Sequence, residues 1–295
     1  MEWKGNRESD NVEDARGSTS SGGGGGGGGA LGLLGLIGRT FGIKGIVAAV
    51  VAGFVLVKCG IIDLNSLLGG GVGPAQQSQV SPEDEERYHF VKVVLGSTED
   101  VWIEEFARTG KKYEKPELKV YRGRTQTGCG AGSAEMGPFY CPADRKVYID
   151  LSFYDELAQT FKSPGDFAQA YVVAHEVGHH VQNLLGISSK VAAMQGRPDY
   201  NEYSVRLELQ ADYLAGVWAN HAQQKLKLDR SDIEEAMRAA NAIGDDAIQK
   251  KMQGRVVPHS FTHGTSEQRQ RWFQKGLLSG KIEDGDTFSM PYKDL

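Results

Sequence analysis

The residues in this 295-residue chain best suited to chemistry are His175, Glu176 and His179, which read H-E-x-x-H. On an α-helix, positions four apart share a face, so the two imidazoles converge on one point. Two neutral ring nitrogens on a rigid rod suit Zn²⁺, which takes imidazole and carboxylate ligands at about 2.0–2.2 Å. Glu176 stands one step round, placed to take a proton from a metal-activated water. His180 falls about 100° beyond His179 and is not expected to reach the same metal. A catalytic zinc site needs a third protein ligand and one open position. Glu208, 29 residues after His179, is the candidate. Asp212, one turn further, projects the same way and is expected to accept the free ring N–H of a ligating histidine.

Two helices must carry these groups. Phe167, Ala170, Val173, Val177, Val181 and Leu184 keep a three-to-four-residue apolar spacing. The run Ser163-Pro164-Gly165-Asp166 looks like a capped start, and Gly186 is placed to end the helix. Val205, Leu209, Tyr213 and Val217 mark a second helix, roughly 201–224. Further on, Thr265 and Gln268 predict a capping box for a last helix. His263, just before it, is the candidate for a hydrogen bond to a developing oxyanion, with Arg269 as its rival.

H-E-V-G-H-H followed by E-L-Q-A-D-Y-L-A-G resembles the bacterial neutral zinc metallopeptidase family, in its YpfJ-like group. More distantly it resembles thermolysin-type and HtpX-type peptidases with a glutamate third ligand. The likeness extends to Arg7-Glu8-Ser9-Asp10-Asn11-Val12-Glu13-Asp14, to Gly-Pro-Phe-Tyr-Cys-Pro at 137–142 and to His263-Gly264-Thr265-Ser266-Glu267-Gln268-Arg269. It implies metallopeptidase activity with one zinc per chain and says little about substrate. Resemblance and geometry together give the strand expected at 146–151 the role of an edge that holds an extended substrate by its backbone. The expected fold is α+β, a mainly helical zincin-like domain with a small antiparallel sheet, preceded by one transmembrane helix.

Residues 1–29 are polar and then glycine-rich, and predict a disordered cytosolic tail and linker. From Ala30 to Ile62 the chain turns apolar. Gly45 to Ile62, with Lys58 reaching to headgroups, is long enough to span a bilayer. Lys4, Arg7, Arg16, Arg39 and Lys44 precede it and Lys58 stands at its far end. The charge bias thus predicts a single-pass inner-membrane protein, N-terminus cytoplasmic and catalytic domain outside. Residues 63–81 read as a tether, and 82–295 as the metallopeptidase domain. Within it a helix is expected at 82–106, its first-turn acids answering the dipole. Strands are expected at 118–121 and 146–151, and a charged helix at 231–251.

Cys129 and Cys141 flank a glycine-rich loop, and Cys59 stands apart. In an extracytoplasmic domain the pair predicts a disulfide. Zinc ligation is the competitor, without a second C-x-x-C to support it. A net charge of −5 argues against a nucleic-acid partner, leaving a peptide or protein substrate and the membrane as expected partners. Two other functions stay open: a membrane-tethered zinc-binding module without catalysis, and a zinc amidase acting on a non-protein, cell-wall substrate. Substrate identity, cleavage preference and oligomeric state leave no mark in the sequence.

Overall fold

The computed structural model describes residues 1–17, 80–133 and 136–295. Strand β1 (Val12–Asp14), β2 (Glu117–Tyr121), β5 (Phe139–Cys141) and β6 (Lys146–Asp150) form one sheet in the order β1-β2-β6-β5. Strands β3 (Arg124–Thr127) and β4 (Gly130–Ser133) make a separate hairpin. The helices are α1 (Pro82–Arg108), α2 (Ser152–Gln159), α3 (Asp166–Leu184), α4 (Ile187–Ala192), α5 (Tyr200–Ala222), α6 (Arg230–Ala242), α7 (Asp245–Gln253) and α8 (Ser266–Ser279).

The expected small antiparallel sheet is corrected to a mixed one. Strands β1, β2 and β6 run parallel, and only β5 is antiparallel to its neighbour β6. Parallel strands need a crossover between them, and α1 lies in the chain between β1 and β2. Leu118, Val120, Val147 and Ile149 are fully buried, consistent with a sheet interior covered on both faces. Strand β6 is therefore not an edge. The edge on that side is β5, where Phe139 pairs with Tyr148.

The N-terminal residues expected as a disordered tail are folded into the domain as far as residue 17. Their anchor is Glu99 of α1, a carboxylate with no exposed surface. It accepts hydrogen bonds from Ser9 Oγ at 2.6 Å, Asn11 Nδ2 at 2.7 Å and Arg7 Nη2 at 3.0 Å. Burial pushes its pKa up, and these donors outweigh burial and lower it. Trp3 meets Phe90 edge-on at 5.4 Å and donates from Nε1 to Asp166 at the start of α3. A segment without apolar periodicity is thus held by polar side chains matched to one buried acid. Glu85 in the first turn of α1 serves the same end by pairing with Arg16, while Asp84 pairs with Arg122 after β2.

This arrangement overturns the membrane topology. A chain that crosses a bilayer once leaves its two ends on opposite sides. Here β1 is hydrogen-bonded to β2, and residues 1–17 share one compact unit with the residues from 80 onward. An N-terminus inside and a domain outside are incompatible with that sheet. Among the described residues no helix is long and apolar enough to cross a membrane. The helix expected at 45–62 lies outside the described residues, as does nearly all of the expected tether. The preceding transmembrane helix and the single-pass inner-membrane location are withdrawn.

Caps, some local and some from a distance, set several other boundaries. Helix α3 begins at Asp166, later than the Ser163-Pro164 start, because Gly165 adopts φ 127° and Glu235 of α6 accepts the Phe167 N–H at 3.0 Å. The expected helix at 231–251 is two, α6 and α7, broken at Ile243-Gly244. Thr265 and Gln268 form both bonds of a capping box at the start of α8.

Candidate metal centre and cleft

Helices α3 and α5 carry the candidate ligands and must approach closely. Gly178, inside the H-E-x-x-H turn, permits it: a Cβ there would lie 3.0 Å from the Ala211 carbonyl oxygen. On the far side of α5, a Cβ at Gly276 of α8 would overlap the Tyr213 carbonyl oxygen. Three helices thus stack with little space between backbones, and one donor atom each from His175, His179 and Glu208 comes within 4.8 Å of the others.

The hydrogen bonds decide which atoms face inward. His175 Nδ1 lies 2.8 Å from Asp212 Oδ1, so this nitrogen carries the proton and donates it to the carboxylate. His179 Nδ1 lies 2.9 Å from Gln182 Oε1. The Gln182 amide is oriented by its Nε2, which donates to the Leu207 carbonyl at 2.6 Å. Both histidines therefore turn Nε2 toward Glu208, at 3.2 Å from Oε2 and 3.4 Å from Oε1. Lone pairs meeting a carboxylate need positive charge among them. Protons supply it in the absence of metal. Burial works against a charged imidazole, yet Asp212 and Glu208 raise the His175 pKa to about 10, and Glu208 likewise raises His179. Burial pushes the Glu208 carboxyl up, and the two imidazoles hold it well below its ordinary value. The two His–Glu separations are longer than charge-assisted hydrogen bonds and close to the ligand–ligand edges of a zinc site. Ligands about 2.0–2.2 Å from a tetrahedral zinc stand roughly 3.3–3.5 Å apart, whereas charge-assisted N–H···O bonds close to about 2.7–2.9 Å. Two imidazoles and one carboxylate with ring N–H groups already fixed are a donor set that suits zinc.

Asp212 is the hub behind the site. It has no exposed surface and accepts from His175, from Tyr171 Oη at 2.5 Å and from both Nε and Nη2 of Arg269 at 2.9 Å. Burial raises its pKa, and Arg269 and His175 together lower it to about 2. Arg269 also donates to the Ile243 carbonyl at 3.2 Å. Its Nε and Nη2 are both directed at Asp212. Tyr171 and Gln182 were not singled out by sequence reasoning. Their spacing to the histidines, i−4 and i+3 on α3, is the signal that points to them.

The three residues open on a cleft of about 690 Å³ that is also lined by Glu176 and His263. Glu176 is 7% exposed. His263 stands in the loop before α8, and Asp245 fixes that loop. Asp245 Oδ2 accepts the backbone N–H groups of Thr262, His263 and Gly264 at 2.7, 2.7 and 3.1 Å, while Oδ1 faces His263 Nδ1 at 3.1 Å. The Asp245 hydrogen bond raises the His263 pKa, and its Nε2 has no hydrogen-bond partner among the described residues. Nothing in the sequence spacing pointed to Asp245.

His180 points away from the metal ligands. Its Nε2 donates to the Glu114 carbonyl at 2.6 Å, and its Nδ1 accepts from Tyr140 Oη at 3.0 Å. Asn183 Nδ2 donates to the same phenol at 3.0 Å. Tyr140 belongs to β5, so this brace fastens the edge strand to α3. Cys141, the last residue of β5, is joined by a disulfide to Cys129 in the turn of the β3–β4 hairpin. Cys129→Ser is expected to cost about 2–4 kcal/mol of stability, read as a lower urea midpoint with bound zinc unchanged. An unchanged midpoint would show that the cross-link restrains nothing.

Residues 1–288 match the family described as "Putative neutral zinc metallopeptidase". The chain is 51% identical over 293 residues to "Uncharacterized protein YpfJ" of Escherichia coli strain K12, an alignment covering 98% of this chain and 99% of the relative. It is 45% identical over 188 residues to "Uncharacterized protein Rv2575" of Mycobacterium tuberculosis, covering 60% and 64%. No solved structure matches the chain. A family match over nearly the whole sequence, with a relative half identical along it, places this chain in the neutral zinc metallopeptidase family.

Proposed function

We propose that the chain hydrolyses peptide bonds with one zinc held by His175, His179 and Glu208. The observation that carries this reading is the pair of Nε2 atoms converging on the Glu208 carboxylate, beside an acid, Glu176, that lines the same cleft. Zinc bound there supplies a Lewis acid and brings the pKa of a water to about 7. Glu176 takes the proton of the attacking water and passes it to the leaving amine. His263, held by Asp245, donates a hydrogen bond to the carbonyl oxygen as negative charge develops on it. Asp212 and Gln182 keep the two imidazoles in the Nδ1–H tautomer and aim them. A purely structural zinc site would have no use for an acid in Glu176's position or for an open cleft.

Glu208→Ala tests the ligand set. Metal analysis after dialysis is expected to find about one zinc per wild-type chain and a large loss in the variant, with helical circular dichroism retained. Full zinc in Glu208→Ala would remove it from the ligand set.

The Asp245–His263 pair makes a pH prediction. A raised pKa keeps the His263 imidazolium charged to higher pH, and the donor is lost as pH rises through that value. Asp245→Asn removes the carboxylate that raises it. The alkaline limb of kcat/KM is therefore expected to move to lower pH. A limb that stays in place would show that His263 does not govern it.

A further inference from the structure

The cleft beside the candidate metal ligands has a largely apolar and aromatic wall. Phe139 and Tyr140 come from the edge strand, Phe153 from α2, Phe161 from the turn before α3, and Met136 and Met252 stand at the mouth. Met252 is 74% exposed and Met136 56%. Large apolar side chains left in water cost about 25 cal/mol per Å² relative to covered ones, and an apolar patch bordering a polar site marks a place where something binds. His263 aside, the cations of the cleft have partners in the fold. Lys251 donates to the Thr160 carbonyl and sits 5.1 Å from the centre of the Phe161 ring. Arg269 is bound to Asp212. Glu156 lines the same cleft. Away from His263, an acidic side chain at this wall would meet only Lys251, which already donates to a carbonyl, and Arg269, which is paired with Asp212.

From this wall we infer the substrate class, an inference that rests on the peptidase reading above. The cleft selects internal segments of extended polypeptide that place a large apolar or aromatic side chain beside the bond to be cut. The thioether side chains at the mouth adapt to differing shapes, so the preference covers Leu, Met, Phe, Tyr and Trp as a class. Folded proteins bury such residues, which makes unfolded or locally unfolded polypeptide the substrate. Cell-wall stem peptides, rich in carboxylates, fit this wall poorly.

The test has a kinetic and a binding arm, both on the full chain loaded with zinc. In a synthetic peptide library varied on each side of the cut, kcat/KM for Phe, Leu or Met is expected to exceed that for Asp, Glu or Ser by about tenfold or more. Met252→Asp, an exposed position that folding tolerates, is expected to reduce that ratio several-fold. For binding, the Glu176→Gln protein is titrated into fluorescein-labelled peptides and anisotropy is read. Apolar peptides are expected to bind more tightly than acidic ones. Cleavage that depends on Glu176 but shows no apolar preference would overturn the substrate class and leave the peptidase standing. Faster cleavage of a D-alanine-containing stem peptide would overturn it too. Should no peptide be cleaved, the peptidase reading fails, and the binding arm still decides: equal affinity for apolar and acidic peptides overturns the inference.

Discussion

Glu176→Gln is expected to lower kcat by a factor of about 10²–10⁴ while bound zinc stays at the wild-type level. Gln has nearly the shape of Glu, so the packing of α3 should survive, but its amide cannot accept and return a proton. Glu176 stands outside the trio whose donor atoms converge within 4.8 Å, so its replacement leaves the ligand set intact. Removing a ligand lowers zinc and activity together, and removing the base lowers activity alone. Metal analysis and peptide hydrolysis on one sample separate the two. A Glu176→Gln protein with wild-type kcat would take Glu176 out of the mechanism.

Asp212→Ala is expected to be the most damaging single change to the fold of the site. It strands the buried Arg269 guanidinium, and breaking such a pair by removing one partner costs about 3–5 kcal/mol. The Tyr171 hydroxyl and the His175 ring N–H lose the same acceptor. Loss of the group that orients a ligating imidazole typically lowers metal affinity by about 10–100-fold. Denaturant unfolding and competition with a zinc chelator read the two effects separately. The pH dependence has a definite sign. With its pKa lowered to about 2, Asp212 contributes stability that is fully present above its unfolded value near 4. That stability is lost as pH falls from about 4 through about 2, and amounts to roughly 2–3 kcal/mol. In Asp212→Ala this part of the acid-unfolding profile should be missing. A variant as stable as wild type would mean that Arg269 finds another partner.

The sequence makes helix-borne chemistry legible because helical periodicity is local. His175 and His179 are one turn apart, as are Glu208 and Asp212, and the sequence alone puts each pair on one face. That α3 and α5 bring these faces together depends on packing, with Gly178 as the local sign of it. The capping box at Thr265 and Gln268 was legible for the same reason. Long-range contacts were not. Glu235 caps α3 from 68 residues away, and Asp245 ties down the His263 loop from the other end of α7, 18 residues earlier. The parallel sheet depends on which strands meet after a crossover, and residue spacing does not encode that. The N-terminal residues mislead most. Arg7, Ser9 and Asn11 read as solvated because their partner, Glu99, is some 90 residues on. Once they are seen in the fold, the charge bias across 45–62 loses its meaning as a topology signal.

The central claim is that zinc on His175, His179 and Glu208 makes this chain a peptidase, and one titration tests it most directly. Metal-stripped full chain is given zinc in steps, and hydrolysis of an internally quenched peptide carrying apolar residues is followed at each step. Activity is expected to climb to a break near one zinc per chain, with Glu176→Gln taking up the same zinc and staying flat. Full zinc uptake by the wild type with no cleavage at any step would contradict it.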